Sequence, residues 1–188
     1  MGDIMYYNEN MTEEKMLLGK EMDKAVHYVA KNILESGHNS KPILSHSFRV
    51  AELLYQFGYG KNIVIAAILH DLIEDTDVTY EQLKNDFGHE IANLVQAVSF
   101  DFQIKDYLKQ TKDMFEKCIN YGFDALIIKC SDLIQNIDFI QFVDDNKKRI
   151  ELYKKYEIFL DISKKIIGNT EVYKILKDKY VSISITSN

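Results

Sequence analysis

Two strongly apolar stretches of this chain are interrupted by residues that bind metals or move protons. The first, Ile63-Val64-Ile65-Ala66-Ala67-Ile68-Leu69-His70-Asp71-Leu72-Ile73-Glu74-Asp75, is apolar on nearly every side and ends in one histidine and three acids. His70 and Glu74 are four residues apart, as are Asp71 and Asp75, so on a helix the acids lie one turn beyond the His-Asp pair. The second, Ala125-Leu126-Ile127-Ile128-Lys129-Cys130-Ser131-Asp132-Leu133-Ile134-Gln135-Asn136-Ile137, places Lys129, Asp132 and Asn136 on one helix face. A third polar residue, His46, stands near the start of a helix that carries Val50, Leu53 and Leu54. Burying a charge costs several kcal/mol unless it is paired or bound to a metal, so these interruptions call for a chemical reason.

Each one alone has a plain reading: His46 as a hydrogen-bonded residue, Lys129 and Asp132 as an intrahelical ion pair, Glu74-Asp75-Thr76-Asp77 as a solvated helix end. Acids at a helix C-terminus oppose the macrodipole, however, which weakens the last reading. The conjunction carries the argument. Two imidazoles (His46, His70) and two carboxylates (Asp71, Asp132) form a donor set for one divalent cation, with Glu74 and Asp75 beside it as acids able to activate water. Such a set suits a six-coordinate, borderline-hard metal such as Mn2+, Fe2+ or Co2+. Tetrahedral Zn2+ is the less natural alternative.

The elements that must position these residues are helical. With 188 residues, 46% hydrophobic and 28% charged, the chain reads as one globular domain, and one proline with eight glycines favours long helices over a turn-rich sheet. Apolar periodicity predicts helices at 12–34, 45–57, 62–74, 91–98, 105–121, 125–142, 147–167 and 171–180. Thr79 and Gln82 form a capping box that opens a short helix closed by Gly88. Residues 1–11 are expected to be a polar tail. Residues 181–188 form a C-terminal extension that alternates like a strand without an evident partner.

A net charge of −6 argues against binding a nucleic-acid polymer, which needs a broad basic surface, but allows a small anionic substrate held by a bound cation and a few lysines. No apolar run approaches the ~20 residues of a membrane span, and no secretory signal is visible, so a cytoplasmic protein is expected. Cys118 and Cys130 lack metal-ligand spacing and read as small buried hydrophobes. The abundant tyrosine and phenylalanine suit either a core or a homo-oligomer interface.

At these residues the chain resembles the HD superfamily, and within it the hydrolase domain of RelA/SpoT-type proteins and their small stand-alone, Mesh-like relatives. The resemblance runs from His46 to Tyr153. It is densest from Ala66 through His70-Asp71 and Glu74-Asp75-Thr76-Asp77 to Thr79, with Phe87-Gly88 following and Ile128-Lys129-Cys130-Ser131-Asp132 to Asn136 downstream. It implies an all-α, HD-domain helical bundle. It also implies a manganese-dependent hydrolase that removes pyrophosphate from the 3′ position of guanosine tetra- or pentaphosphate.

Carried over residue by residue, the resemblance makes His46, His70, Asp71 and Asp132 the metal ligands and Glu74 and Asp75 the water-activating acids. Asn136 becomes a substrate contact, and so do Arg149 and Tyr153, one helical turn apart. Lys129 adds a cation that screens phosphate charge. Three departures stand out: Ser47 replaces the proline usual after the histidine, Leu133-Ile134-Gln135 replace Arg-Leu-His, and residues 35–41 contain no arginine where the family has an Arg-Lys pair on the guanine base. An HD phosphohydrolase for another nucleotide or phosphate ester is therefore the alternative activity. A non-catalytic metal- or nucleotide-binding module is the alternative of another class, disfavoured because a pure binder has no use for Glu74 and Asp75.

Overall fold

The computed structural model describes residues 12–38 and 42–186, with side chains through Ile183. The expected tail at 1–11, the stretch Asn39–Lys41 and the end of the C-terminal extension lie outside the described residues. Among those described, the chain forms helices and no strand: α1 (Glu13–Ser36), α2 (Ile43–Gln56), α3 (Lys61–Leu69), α4 (Leu72–Asp75), α5 (Tyr80–Phe87), α6 (His89–Val98), α7 (Tyr107–Tyr121), α8 (Phe123–Asn136), a 3-10 helix (Ile137–Phe142), α9 (Asn146–Ile167) and α10 (Glu171–Thr186). None is long and apolar enough to cross a membrane.

The two greasiest segments become the two central helices. Every residue of α3 from Ile63 to Leu69 is buried, and α3 packs against α1, α2, α6 and α8. In α8 all residues from Ala125 to Ile134 are buried, and this helix touches α2, α3, α6, α7, α9 and α10. Helix α2 lies against both. The helices that carry His46, His70-Asp71 and Asp132 are thus mutual neighbours. Their apolar faces drive that arrangement, by about 1.5–3 kcal/mol for each large side chain fully buried.

Local signals set the boundaries. Thr12, Asp106 and Asp145 cap α1, α7 and α9 by accepting the amide three residues on. The capping box of Thr79 and Gln82 forms as expected, and Gly88 ends α5 at φ 89°, a conformation that favours glycine. Cys118 and Cys130 are buried and free.

Three expectations are corrected. The helix expected at 62–74 is not continuous: α3 stops at Leu69 and α4 begins at Leu72, with Asp71 at φ −90°, ψ −5°. The His70 ring Nδ1 donates to the Ala67 carbonyl at 2.8 Å, the acceptor that the Asp71 amide would use in an unbroken helix. The helix expected at 125–142 ends at Asn136 and tightens into the 3-10 helix, which leaves Phe139 and Phe142 exposed at its surface. The strand-like extension is instead the end of α10. There Ser182 Oγ donates to the Asp178 carbonyl, and Tyr180 and Ile183 pack against the core, so tertiary contact overrides the local alternation.

Candidate metal centre and adjoining cleft

The four expected donors meet. His46, near the start of α2, places Nε2 3.1 Å from Asp132 Oδ1 and 3.7 Å from Asp71 Oδ2. His70 Nε2 lies 3.2 Å from Asp71 Oδ1 and 3.7 Å from Asp132 Oδ1. Donor atoms of His46, His70 and Asp132 all lie within 4.8 Å of one another, and all four residues are buried. The break after Leu69 makes this possible, because adjacent residues of an unbroken helix point about 100° apart.

These donors fit a divalent cation. Because Nδ1 of His70 donates to a carbonyl, Nε2 is the atom left to ligate a cation once the ring is deprotonated, and this buried atom makes no hydrogen bond. A ring anchored through one nitrogen and aimed into a cluster with the other is the usual posture of a metal-binding histidine. Asp132 divides its oxygens: Oδ1 faces the two histidines and accepts from the Asn136 amide, while Oδ2 pairs with Lys129 Nζ at 2.9 Å.

Electrostatics follow from that packing. Burial alone would lower the His70 pKa, but the Asp71 and Asp132 carboxylates outweigh it and raise it to about 9. Burial would raise the Asp132 carboxyl, yet Lys129, the hydrogen bond from His46 and the charge of the neighbouring His70 hold it well below the usual range. Lys129 is desolvated too, but Asp132 and Glu74 keep it charged and raise its pKa. Glu74 moves upward, chiefly through burial, with Asp71 adding to the rise and Lys129 opposing it.

Glu74 and Asp75 both sit on α4, one short turn beyond the donors. Glu74 Oε1 accepts the Phe100 amide at 2.8 Å, which orients the carboxyl, and Asp75 is buried. Ser36, the last residue of α1, and His38 just beyond it clamp this turn. His38 Nε2 donates to the Glu74 carbonyl at 3.1 Å, the His38 amide donates to the Asp75 carbonyl, and Ser36 Oγ accepts the Asp77 amide at 3.0 Å.

A cleft of 280 Å³ adjoins the cluster at Asn136 and is walled by Phe100, Tyr107, Phe139, Lys155 and Tyr156 among others. The ammonium groups of Lys129 and Lys155 lie 5.5 and 5.6 Å from the centre of the Phe100 ring. Arg149 and Tyr153 do not line this cleft. Arg149 donates to Asn146 Oδ1, and the Tyr153 ring meets Tyr180 at 6.4 Å. Neither Phe100 nor Lys155 carries a metal-ligand pattern in the sequence, and the lysines of α9 stand in an otherwise acidic chain.

Comparisons with known proteins show what the chain is similar to. The guanosine-3′,5′-bis(diphosphate) 3′-pyrophosphohydrolase of Aquifex aeolicus is 29% identical over 128 residues, 67% of this chain and 18% of that protein. The pyrophosphohydrolase MESH1 of Danio rerio is 31% identical over 98 residues, 51% of this chain and 54% of that protein. The chain therefore spans less than a fifth of the Aquifex protein and about half of MESH1. Among solved structures, a metazoan ortholog of SpoT that hydrolyses ppGpp superposes with a TM-score of 0.74 at 19% identity, covering 86% of this chain and 94% of that one. The HD domain family matches residues 25–159, a span that contains all four donors and both acids, and the chain belongs to that family.

Proposed function

We propose that this protein is a metal-dependent phosphohydrolase that removes pyrophosphate from the 3′ position of guanosine 3′,5′-bis(diphosphate). The observation that carries the reading is the cluster of His46, His70 and Asp132, with Asp71 against both histidines and Glu74 and Asp75 one turn away, within a family whose relatives bear that activity in their names. Family membership and the His-His-Asp cluster together imply a divalent metal, and the mixed nitrogen and oxygen donors favour Mn2+. The substrate is a small phosphorylated nucleotide, met in the cytoplasm.

When bound, the cation supplies Lewis-acid polarisation of a phosphoryl oxygen and acidifies the attacking water. Glu74, oriented by the Phe100 amide and raised in pKa by burial, takes the proton from that water, with Asp75 holding the water in line. Lys129 offsets the negative charge gathered around Asp132 and Glu74 as phosphate enters. Asn136, tethered to Asp132 Oδ1, orients the substrate at the rim. Arg149 and Tyr153 complete the contact set that the resemblance implies.

One observation favours a second reading, hydrolysis of another nucleotide or phosphate ester. Residues 35–41 contain no arginine, and Ser36 spends its hydroxyl on the Asp77 amide rather than on a base. Incubating the manganese-loaded protein with guanosine tetraphosphate and the common nucleoside triphosphates separates the two. Pyrophosphate release from the tetraphosphate supports the first reading, turnover of another compound alone supports the second, and silence with intact metal binding leaves a binding module.

A further inference from the structure

The cleft beside Asn136 has a composition of its own. Among the described residues that line it, Lys155 is the one charged side chain, and four aromatic rings (Phe100, Tyr107, Phe139, Tyr156) face the same space. An apolar aromatic cleft with a single cation and no carboxylate suits a flat ring bearing an anionic group. Its 280 Å³ is near the lower bound for ligand pockets, enough for part of a nucleotide.

Two tethers tie the cleft to the metal centre. Asn136 lines it and donates to Asp132 Oδ1. Phe100 lines it, donates its amide to Glu74 Oε1, and has the ammonium groups of Lys129 and Lys155 within 5.6 Å of its ring centre. A molecule filling the cleft therefore has its other end within reach of Asp132 and Glu74.

We propose that this cleft is the nucleotide-recognition pocket, with Lys155 pairing with a phosphate away from the scissile bond and the rings of Tyr107 and Phe139 packing against the base. The proposal rests on the nucleotide-hydrolase reading above and deepens it, because it specifies how the base is held. Aromatic packing accepts any base with a π face, so the pocket selects for a nucleotide and discriminates weakly between purines.

Equilibrium binding of GDP, ADP and guanosine to the manganese-loaded protein, followed by calorimetry, tests this. GDP and ADP bind within about threefold of each other. Lys155→Ala weakens both about tenfold and leaves guanosine unchanged, Lys155→Arg restores them, and Lys154→Ala, an equal charge loss on the exposed neighbour, has no effect. Phe139→Ala, at a half-exposed ring where folding is little disturbed, weakens all three several-fold. Nucleotide binding indifferent to Lys155→Ala, an equal loss for guanosine, or no binding to the wild type overturns the proposal. Lys155-dependent GDP binding without hydrolysis of guanosine tetraphosphate overturns the activity alone. Hydrolysis with a KM untouched by Lys155→Ala overturns the pocket alone.

Discussion

Lys129 Nζ lies 2.9 Å from Asp132 Oδ2, with both side chains buried, so the carboxylate at the heart of the cluster has a permanent cation on the side away from the two histidines. One oxygen of Asp132 is thereby committed to the protein and the other to the cluster. This separates what Asp132 does for folding from what it does for a metal.

Asp132→Asn and Lys129→Met are expected to destabilise the metal-free protein by similar amounts, about 3 kcal/mol, because each strands a buried charge. Only Asp132→Asn is expected to abolish tight Mn2+ binding. Denaturant unfolding and metal titration on both variants check this, and equal metal affinity for Asp132→Asn and wild type would remove Asp132 from the ligand set.

Glu74→Gln keeps the hydrogen bond from the Phe100 amide but can no longer accept a proton from water. Metal affinity should stay within about threefold of wild type while the hydrolysis rate falls by roughly 10²–10⁴. Loss of metal and loss of rate in parallel would make Glu74 a ligand instead.

Acidity should oppose metal binding through His70. Its pKa is raised to about 9 in the metal-free fold, against an ordinary value near 6.5, so its charge stabilises that fold below about pH 6.5 and the stabilisation fades as pH rises towards 9. A cation binds only the deprotonated ring, so apparent Mn2+ affinity should rise about tenfold per unit between pH 6 and 8 as this one proton is displaced. The gain in melting temperature on adding Mn2+ should therefore grow with pH over that range. A gain that is flat or shrinking would contradict the assignment.

His38 holds the Glu74 carbonyl without touching the cluster's donor atoms. His38→Ala should lower kcat roughly five- to tenfold by loosening the turn that aims both acids, with Mn2+ affinity unchanged. His38→Gln, which still donates, should recover most of the rate. A rise in KM with constant kcat would instead place His38 against the substrate.

Much of this was legible in the sequence because the functional residues violate a pattern. Asp132 and Lys129 stand in an apolar helix, and His70-Asp71 end another, so the need for partners could be read without coordinates. The capping box at Thr79 declared itself by spacing alone. What stayed hidden depends on contacts between distant segments. The break at His70-Asp71 arises when a side chain takes a backbone acceptor, which no periodicity encodes. Lys155 is the α9 lysine that lines the cleft, because the helix is oriented by its packing on α8 and α10, and the loop with Phe100 reaches both lysines only in the folded chain. The end of α10 misled for a related reason: its alternating serines and isoleucines follow a strand period, while the core beneath imposes a helix.

The interruption between α3 and α4 also bears on assembly. Because His70 and Asp71 converge from one two-residue turn, four donor groups arrive on only three stretches of chain: the start of α2, this turn, and α8. Bringing them together closes two loops rather than three, and each loop avoided spares its own closure entropy. In the proposed metal centre the adjacent pair would act as a bidentate chelator that needs no long-range search, and the remaining closures belong to helices that the core already drives together.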